Sequence, residues 1–301
     1  YGPAGVNLQQ CCHQVGILWH DVYRTNVIKD LDHPLDYYIT LTTGKRSTAK
    51  LTPAGIAYVE ILREELLQTT ARVIIACGNV ALWALCSRIG ITSWRGSVIE
   101  STLLPGRKVI PTIHPATWTQ EKLYTNPDAY LNKHLVTLDL KRARVESNFN
   151  ELRKPNVKLI LRPTYYDTLN YLAQCHTLGL AGAVIDYDIE IQPHNQELSC
   201  IGLAYEPNLC MCIPFIDSKG DYFTLDQELE IMLRLEQIFS NSSITKRGQN
   251  VIFDSHYMLK KYGIRTYNMH DTMVAQAILY PEFRKSLEFI TSMWTPFPYY
   301  K

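Results

Sequence analysis

Between Ala183 and Ile191 the chain reads Ala-Val-Ile-Asp-Tyr-Asp-Ile-Glu-Ile, a run that alternates too regularly for a helix and is too apolar for a surface loop. Successive side chains of a strand point to opposite faces, so Asp186, Asp188 and Glu190 share one face and Ile185, Tyr187 and Ile189 the other. Three carboxylates side by side repel one another and lose hydration on burial unless a cation sits among them. Two readings are open: an edge strand with a solvated acidic face, or a strand whose acids hold divalent metal. Mg²⁺ takes few carboxylates and keeps several waters, and two such ions about 3.5 to 4 Å apart clamp both the attacking and the leaving oxygen of a phosphodiester.

The 301 residues, 46% hydrophobic and 20% charged, supply enough apolar mass for two cores of about 150 residues each. Lys and Arg total 30 against 29 acids, so any nucleic-acid surface must be local rather than a property of the whole chain. The eight Cys residues show no CxxC pair and no zinc spacing, which favours a reducing cytosol over a disulfide framework. With no apolar run of about 18 residues, neither a membrane span nor a signal peptide is expected. The chain opens on Tyr and ends on Pro-Phe-Pro-Tyr-Tyr-Lys, and it reads as an excerpt of a longer protein.

From Lys141 to Pro155 apolar periodicity fades and charge gathers before a Pro, which marks a domain boundary and predicts domains at 1–148 and 158–301. Ahead of it the pattern predicts a helix near Ala4 to Leu18, a strand from Asp21 to Lys29 and a Pro-started helix from Pro53 to Gln68. A strand from Arg72 to Cys77, a helix from Val80 to Ile89 and short strands at Gly96 to Ile99 and Lys108 to Thr112 complete this half. This βαβ alternation favours α/β with a largely parallel sheet. After the boundary come strands at Lys158 to Leu161 and Ala183 to Ile191, with a helix at Thr164 to Thr177 between them. A hairpin joins Leu198 to Tyr205 with Leu209 to Phe215, and a helix from Leu225 to Ser240 comes next, its apolar face set by Leu229, Met232, Leu233, Leu235, Ile238 and Phe239. A strand at Gln249 to Ile252 and helices at Phe253 to Tyr262, Asp271 to Leu279 and Ser286 to Trp294 end the chain.

Asp188-Ile-Glu190 and, further on, Asn250-Val-Ile-Phe253-Asp254 resemble the first and second motifs of the DEDD superfamily of 3′-5′ exonucleases, specifically the proofreading domain of family A DNA polymerases. His270-Asp-Thr-Met273, Tyr280-Pro-Glu282 and Lys285-Ser-Leu287 are similar to the segment next to the second motif in phage and bacterial polymerases. The resemblance covers residues 158–301 and implies a ribonuclease H-like core with two Mg²⁺ or Mn²⁺ ions. By it, Asp188, Glu190 and Asp254 are the catalytic metal ligands, while Asn250 and Phe253 shape the site. Asp186 matches no family ligand. Tyr267 and Asp271 have the spacing of the family's third motif, Tyr-x-x-x-Asp, but come too soon after Asp254; the real pair is expected beyond Lys301.

In the first half, Gly2-Pro-Ala-Gly5, Asp21-Val-Tyr-Arg-Thr-Asn26-Val-Ile-Lys29, Arg72-Val-Ile-Ile-Ala-Cys-Gly78, Arg95-Gly96 and Ile110-Pro-Thr-Ile-His114-Pro115-Ala116 form an ordered set. Together they resemble the uracil-DNA glycosylase superfamily, most like its thermophilic bacterial branch, which implies an α/β/α sandwich. By that resemblance Asn26 reads the edge of a flipped uracil, His114 stabilises charge developing on the uracil oxygen, and Trp118 is either a wedge into the duplex or a packed surface residue. The family's water-positioning motif would precede Gly2. Its iron-sulfur cysteines have no equivalents, since Cys77 falls within a strand, so no iron-sulfur cluster is expected.

The two halves together resemble the large family A DNA polymerases of certain bacteriophages. That implies a polymerase domain beyond residue 301, a single-stranded 3′ end or primer-template as DNA partner, and action in the host cytoplasm. Lys141, Arg142, Arg144, Arg153 and Lys154 form either a DNA-backbone contact or a solvated linker. Two rival readings stand beside the polymerase one: an inactive DNA-binding or scaffolding fragment, and a uracil-DNA glycosylase with an appended nuclease fold.

Overall fold

Pro3 and Pro53 each begin a helix, where a missing N–H costs nothing and the fixed φ is already helical. In the computed structural model, which describes residues 2–42, 48–126 and 129–300, α1 spans Pro3–Gln14. The hairpin strands β1 (Ile39–Thr42) and β2 (Thr48–Leu51) precede α2 (Pro53–Leu67), whose N-cap Thr52 accepts the Gly55 amide at 3.2 Å. The segment Asp21 to Lys29, expected as a strand, is irregular chain apart from a 3-10 turn at Trp19–Asp21. Its β-branched residues pair with no neighbouring strand.

A three-stranded sheet forms the centre of this unit. β3 (Val73–Cys77) runs into α3 (Asn79–Cys86) and the short α4 (Ile91–Trp94), followed by β4 (Ile99–Glu100) and β5 (Lys108–Thr112). The strand order is β3-β5-β4, with β5 parallel to β3 and antiparallel to β4. All five residues of β5 are buried, and Leu62, Leu66, Leu82, Leu85 and Val109 pack in one cluster around the sheet. Then come α5 (Gln120–Thr125) and α6 (Ala129–Glu146).

The stretch expected to lose structure from Lys141 is instead the last turns of α6. The reason lies in buried polar partners. Arg95 and Asp139, each 1% exposed, form an ion pair that Thr112 joins by donating its hydroxyl to Asp139 at 2.7 Å. Arg142 donates to the Gly96 and Thr295 carbonyls, and Arg144 donates to the Val15 carbonyl at 2.7 Å. Charges that read as a solvated linker are thus donors to the protein's own backbone. The same network holds residues 288–300, which pack with the described residues up to Lys154 as one unit: Arg95 reaches Ser292 Oγ at 3.0 Å, and the Tyr299 amide donates to Ser97 Oγ at 2.9 Å.

The second unit, Pro155–Leu287, begins with β6 (Lys158–Ile160) and α7 (Tyr165–Leu180), which Thr164 and Asp167 start with a capping box. Strands β7 (Val184–Ile191), β8 (Leu198–Glu206) and β9 (Leu209–Pro214) form an antiparallel meander. A minor pair, β10 (Ile216–Asp217) and β11 (Gly220–Asp221), leads to α8 (Leu225–Phe239), β12 (Thr245–Gly248), α9 (Val251–Tyr262), β13 (Met269–Asp271) and α10 (Thr272–Leu279). The final helix, α11 (Leu287–Trp294), carries the chain back to the first unit. The sheet order is β13-β12-β7-β8-β9-β6, with β13, β12 and β7 parallel to one another. This is a ribonuclease H-like sheet, and the acidic strand lies inside it rather than at an edge.

One face of that sheet buries Ile185, Tyr187, Ile189, Ile201, Leu203, Met211 and Ile213 in a core with Leu172, Cys175, Leu235 and Phe239. Each fully buried large apolar side chain contributes about 1.5 to 3 kcal/mol. The buried stripe of α8 is Ile231, Met232, Leu235, Ile238 and Phe239, while Leu229 and Leu233, expected on that face, are 59% and 51% exposed. The strand expected at Gln249 to Ile252 is β12, several residues earlier. Its polar sequence concealed it, because Lys246 is buried with its ammonium donating to the Asn241 and Ile244 carbonyls at 2.7 and 2.9 Å.

Candidate functional site

The alternation read from the sequence is present in β7: Ile185, Tyr187 and Ile189 are buried, and Asp188 and Glu190 are exposed on the opposite face. Asp186 stands apart from its two neighbours. Arg247, its register partner on β12, holds it in a two-pronged ion pair at 2.6 and 2.8 Å. A carboxylate occupied in this way is a charge neighbour of the site rather than a ligand. Arg247, the partner that explains it, lies in the strand the polar sequence concealed.

Asp254 reaches the acidic face from another element. Gly248 ends β12 where a Cβ would lie 2.8 Å from both the Tyr187 carbonyl and a Val251 methyl, so only glycine allows this approach. Asn250 then takes left-handed backbone, φ 58 and ψ 42, as N-cap of α9, an arrangement Asn tolerates. Asp254, in the first turn, is 4% exposed and accepts the Ile189 amide at 3.4 Å. Burial, and next the charge of Asp188, push its carboxyl up to about 6, while backbone N–H groups of Ile189 and Asp254 pull the other way. The structure therefore brings Asp254 and Asp188 together, with Glu190 further along the same strand face, just before a register shift at Ile191. Phe253, next to Asp254 in the same turn, is 49% exposed.

Asp271 was not among the expected ligands, and its geometry gives it another task. Its carboxylate accepts the amides of Asn250 at 3.0 Å, Val251 at 3.1 Å and Met273 at 2.8 Å. It caps α10 and ties down the start of α9, the helix that carries Asp254. The Asp-Thr pair ahead of an apolar run is the sequence signal for such a cap.

Among the described residues no three His, Cys, Asp or Glu side chains converge into an enclosing metal site. Mg²⁺ does not need one, because it is held by one or two carboxylates together with waters and substrate phosphates. The coupled pair Asp188 and Asp254, with its raised carboxyl, fits such an ion: a nearby cation is what removes the cost of ionising both.

In the first unit, Asn26 and His114 line one cavity of about 900 Å³ together with Cys77, Gly78, Asn79 and Arg144. His114 Nδ1 accepts the Ala116 amide at 3.2 Å, so in the neutral ring the proton resides on Nε2. Surrounding protein lowers its pKa, which favours that neutral ring. Gly78, at φ +89, gives His114 room: a Cβ there would lie 3.2 Å from that of His114. Trp118 is 3% exposed, a core side chain in the 3-10 turn after His114. It is not available as a surface wedge.

Residues 172–297 match the family described as 3′-5′ exonuclease, and residues 1–135 match the uracil DNA glycosylase superfamily. Among solved structures, RNase D from Trypanosoma brucei is 16% identical over 40% of this chain and 40% of its own, with a TM-score of 0.31. The EXD2 exonuclease domain is 16% identical over 40% of this chain and 60% of its own, with a TM-score of 0.29. The catalytic core of RRP6 from Trypanosoma brucei is 16% identical over 48% and 36%, with a TM-score of 0.37. The chain thus spans about 40% of the length of the first of these structures. No curated protein matches it significantly.

Proposed function

Because this chain joins a uracil-DNA-glycosylase-superfamily domain to a 3′-5′ exonuclease domain, we propose that it supplies the proofreading activity of a bacteriophage-type family A DNA polymerase, removing mispaired nucleotides from a single-stranded 3′ end. The observation that carries this reading is the docking of Asp254 against Asp188 through the Ile189 amide. It brings carboxylates from two elements together, Asp254 buried and Asp188 exposed beside it, where a phosphodiester can approach from the side of Asp188.

Asp188, Glu190 and Asp254 would hold divalent ions, Mg²⁺ or Mn²⁺, which when bound supply the Lewis acidity for activating water and steadying the departing 3′ oxygen. The protein's own groups do the rest. Arg247 neutralises Asp186 and so limits the negative field that the incoming phosphate meets. Asp271 and Asn250 fix the first turn of α9, and with it the Asp254 carboxylate. The Phe253 ring offers a base a stacking surface worth about 1 to 3 kcal/mol.

A 3′-labelled single-stranded oligonucleotide incubated with the protein and Mn²⁺ tests the reading. It should shorten from the 3′ end, and Asp188→Ala should abolish the shortening. If the strand survives with both proteins, the exonuclease reading fails and the scaffolding reading is left. A second reading, uracil excision, is favoured by the shared cavity of Asn26 and His114 with a proton on Nε2; release of uracil lost on His114→Ala would establish it.

A further inference from the structure

The sheet face that carries the acids also carries thiols. Along β8 and β9 burial alternates, so that Ile201, Leu203, Met211 and Ile213 enter the core while Cys200, Gly202, Cys210 and Cys212 lie half-buried on the opposite face. The register continues the acidic strand across two neighbours. Glu190 pairs with Cys200, and Asp188 pairs with Gly202, which pairs in turn with Cys212. A Cβ at Gly202 would meet no atom closer than 3.9 Å, the carbonyl of Asp188, so the row from Asp188 to Cys212 is open at its middle. Across this gap Cys200 and Cys212 lie diagonally on the same sheet face, Cys200 opposite Pro214 and Cys212 opposite Gly202. Buried cysteines such as Cys11, Cys12, Cys86 and Cys175 are shielded, whereas this pair is reachable and has its own resolving partner alongside.

We propose that Cys212 is a thiol modification site, resolved by Cys200, through which a low-molecular-weight disulfide closes the acidic face. In the first step the Cys212 sulfur attacks one sulfur of the disulfide; its S–S bond breaks, a mixed disulfide forms on Cys212, and one small thiol leaves with the proton. In the second step the Cys200 sulfur attacks Cys212 and releases the second small thiol. The protein loses two electrons and two protons, and the oxidant becomes two thiols. Cys200 and Cys212 are diagonal rather than directly opposed, and diagonal positions lie about 7 to 8 Å apart at Cα, beyond the usual span of a disulfide. Bridging therefore draws β9 toward β8 at Gly202 and moves the strand that supports Asp188 and Glu190. Such a bond is readily reduced again, which suits a reversible switch.

The effect on activity rests on the exonuclease reading, but the thiol chemistry is measured without it. The whole protein is incubated with glutathione disulfide and then studied by intact mass and by peptide mapping after alkylation. The expected result is a loss of two hydrogens and a cross-linked peptide pair joining Cys200 to Cys212. With Cys200→Ser, and equally with Cys200→Ala, a stable glutathione adduct remains on Cys212, while Cys210→Ser leaves the bridge intact. A stable adduct on the unsubstituted protein, a bridge through Cys210, or no reaction overturns the proposal. Oxidation should lower 3′ shortening at least about tenfold, with recovery on adding dithiothreitol. A bridge that forms without that loss overturns the switch, and a reduced protein that degrades no DNA sinks the exonuclease reading while leaving the mass result to stand.

Discussion

The Asp254 carboxylate accepts the backbone amide of Ile189, so the helix that brings the third acid is fastened between Asp188 and Glu190 on the strand that brings the first two. This contact fixes distance but not charge. The amide lowers the Asp254 pKa, burial and Asp188 raise it more, and the outcome is about 6 against an ordinary 3.8.

That imbalance predicts a pH-dependent stability. A carboxyl whose folded pKa lies above its unfolded value adds stability that is complete below 3.8 and is lost as pH rises through about 6. In EDTA the ionised Asp254 therefore costs, as an upper bound, about 3 kcal/mol at pH above 7. Thermal melts should show Asp254→Asn more stable than the parent at pH 8 and indistinguishable from it at acid pH. Mn²⁺, which favours the ionised form, should bind more weakly as pH falls below 6, and calorimetry should register proton release on binding.

Asp186 and Asp188 are two residues apart on one strand face yet should respond oppositely to substitution. Asp186 pairs with Arg247, and both side chains are nearly half exposed, which places the pair's worth near 0 to 1 kcal/mol. Asp186→Asn should leave the melting temperature nearly unchanged and the exonuclease rate within about threefold, whereas Asp188→Asn should cost at least about a hundredfold. Parallel rate measurements on the two variants check this. Equal losses would make Asp186 part of the machinery.

The acidic alternation of β7 and the buried run of β5 could be read directly from the sequence, because in each the pattern of side chains and the local backbone demand the same thing. β12 could not. Lys246 and Arg247 make it look like a loop, and only the carbonyls around Lys246 and the carboxylate of Asp186 reveal that both cations are paired. The end of α6 was obscured in the same way: Arg142 and Arg144 read as linker charge until the Gly96, Thr295 and Val15 carbonyls are placed beside them. Asp21 to Lys29 erred in the other direction, since strand propensity without a partner strand forms no sheet. Asn26 and His114 could be picked out only through the resemblance; that they line one cavity, beside Gly78, depends on the folded chain.

Asp271 should behave as a positioning residue. Its three backbone acceptor contacts make Asp271→Ala destabilising by about 2 kcal/mol, from a lost cap and unpaired amides. Asp271→Asn, which keeps one acceptor oxygen, should recover part of this in melts. Exonuclease turnover should fall more than substrate affinity in both variants.

His114 should lose its charge at a lower pH than an ordinary histidine, because burial penalises the charged ring. A histidine with a depressed folded pKa adds stability above its unfolded value and loses it as pH falls through the folded one. Nitrogen NMR should find the proton on Nε2 at pH 7, since Nδ1 accepts from Ala116. Gly78→Ala, strained by about 1 to 2 kcal/mol at its positive φ, should displace the ring and alter that spectrum.

The Arg95 and Asp139 pair should be the least replaceable ionic contact of the first unit. Both side chains are 1% exposed, and removing one partner of a buried pair leaves an uncompensated charge at a cost of about 3 to 5 kcal/mol. Asp139→Ala should therefore lower the melting temperature sharply, and because Arg95 and Arg142 also hold Ser292 and Thr295, amide exchange should rise across residues 288–300. Asp139→Asn, which still accepts from Arg95, should lose less. If the exchange of that segment is unchanged in Asp139→Ala, the buried pair stabilises the sheet alone and does not anchor the returning chain.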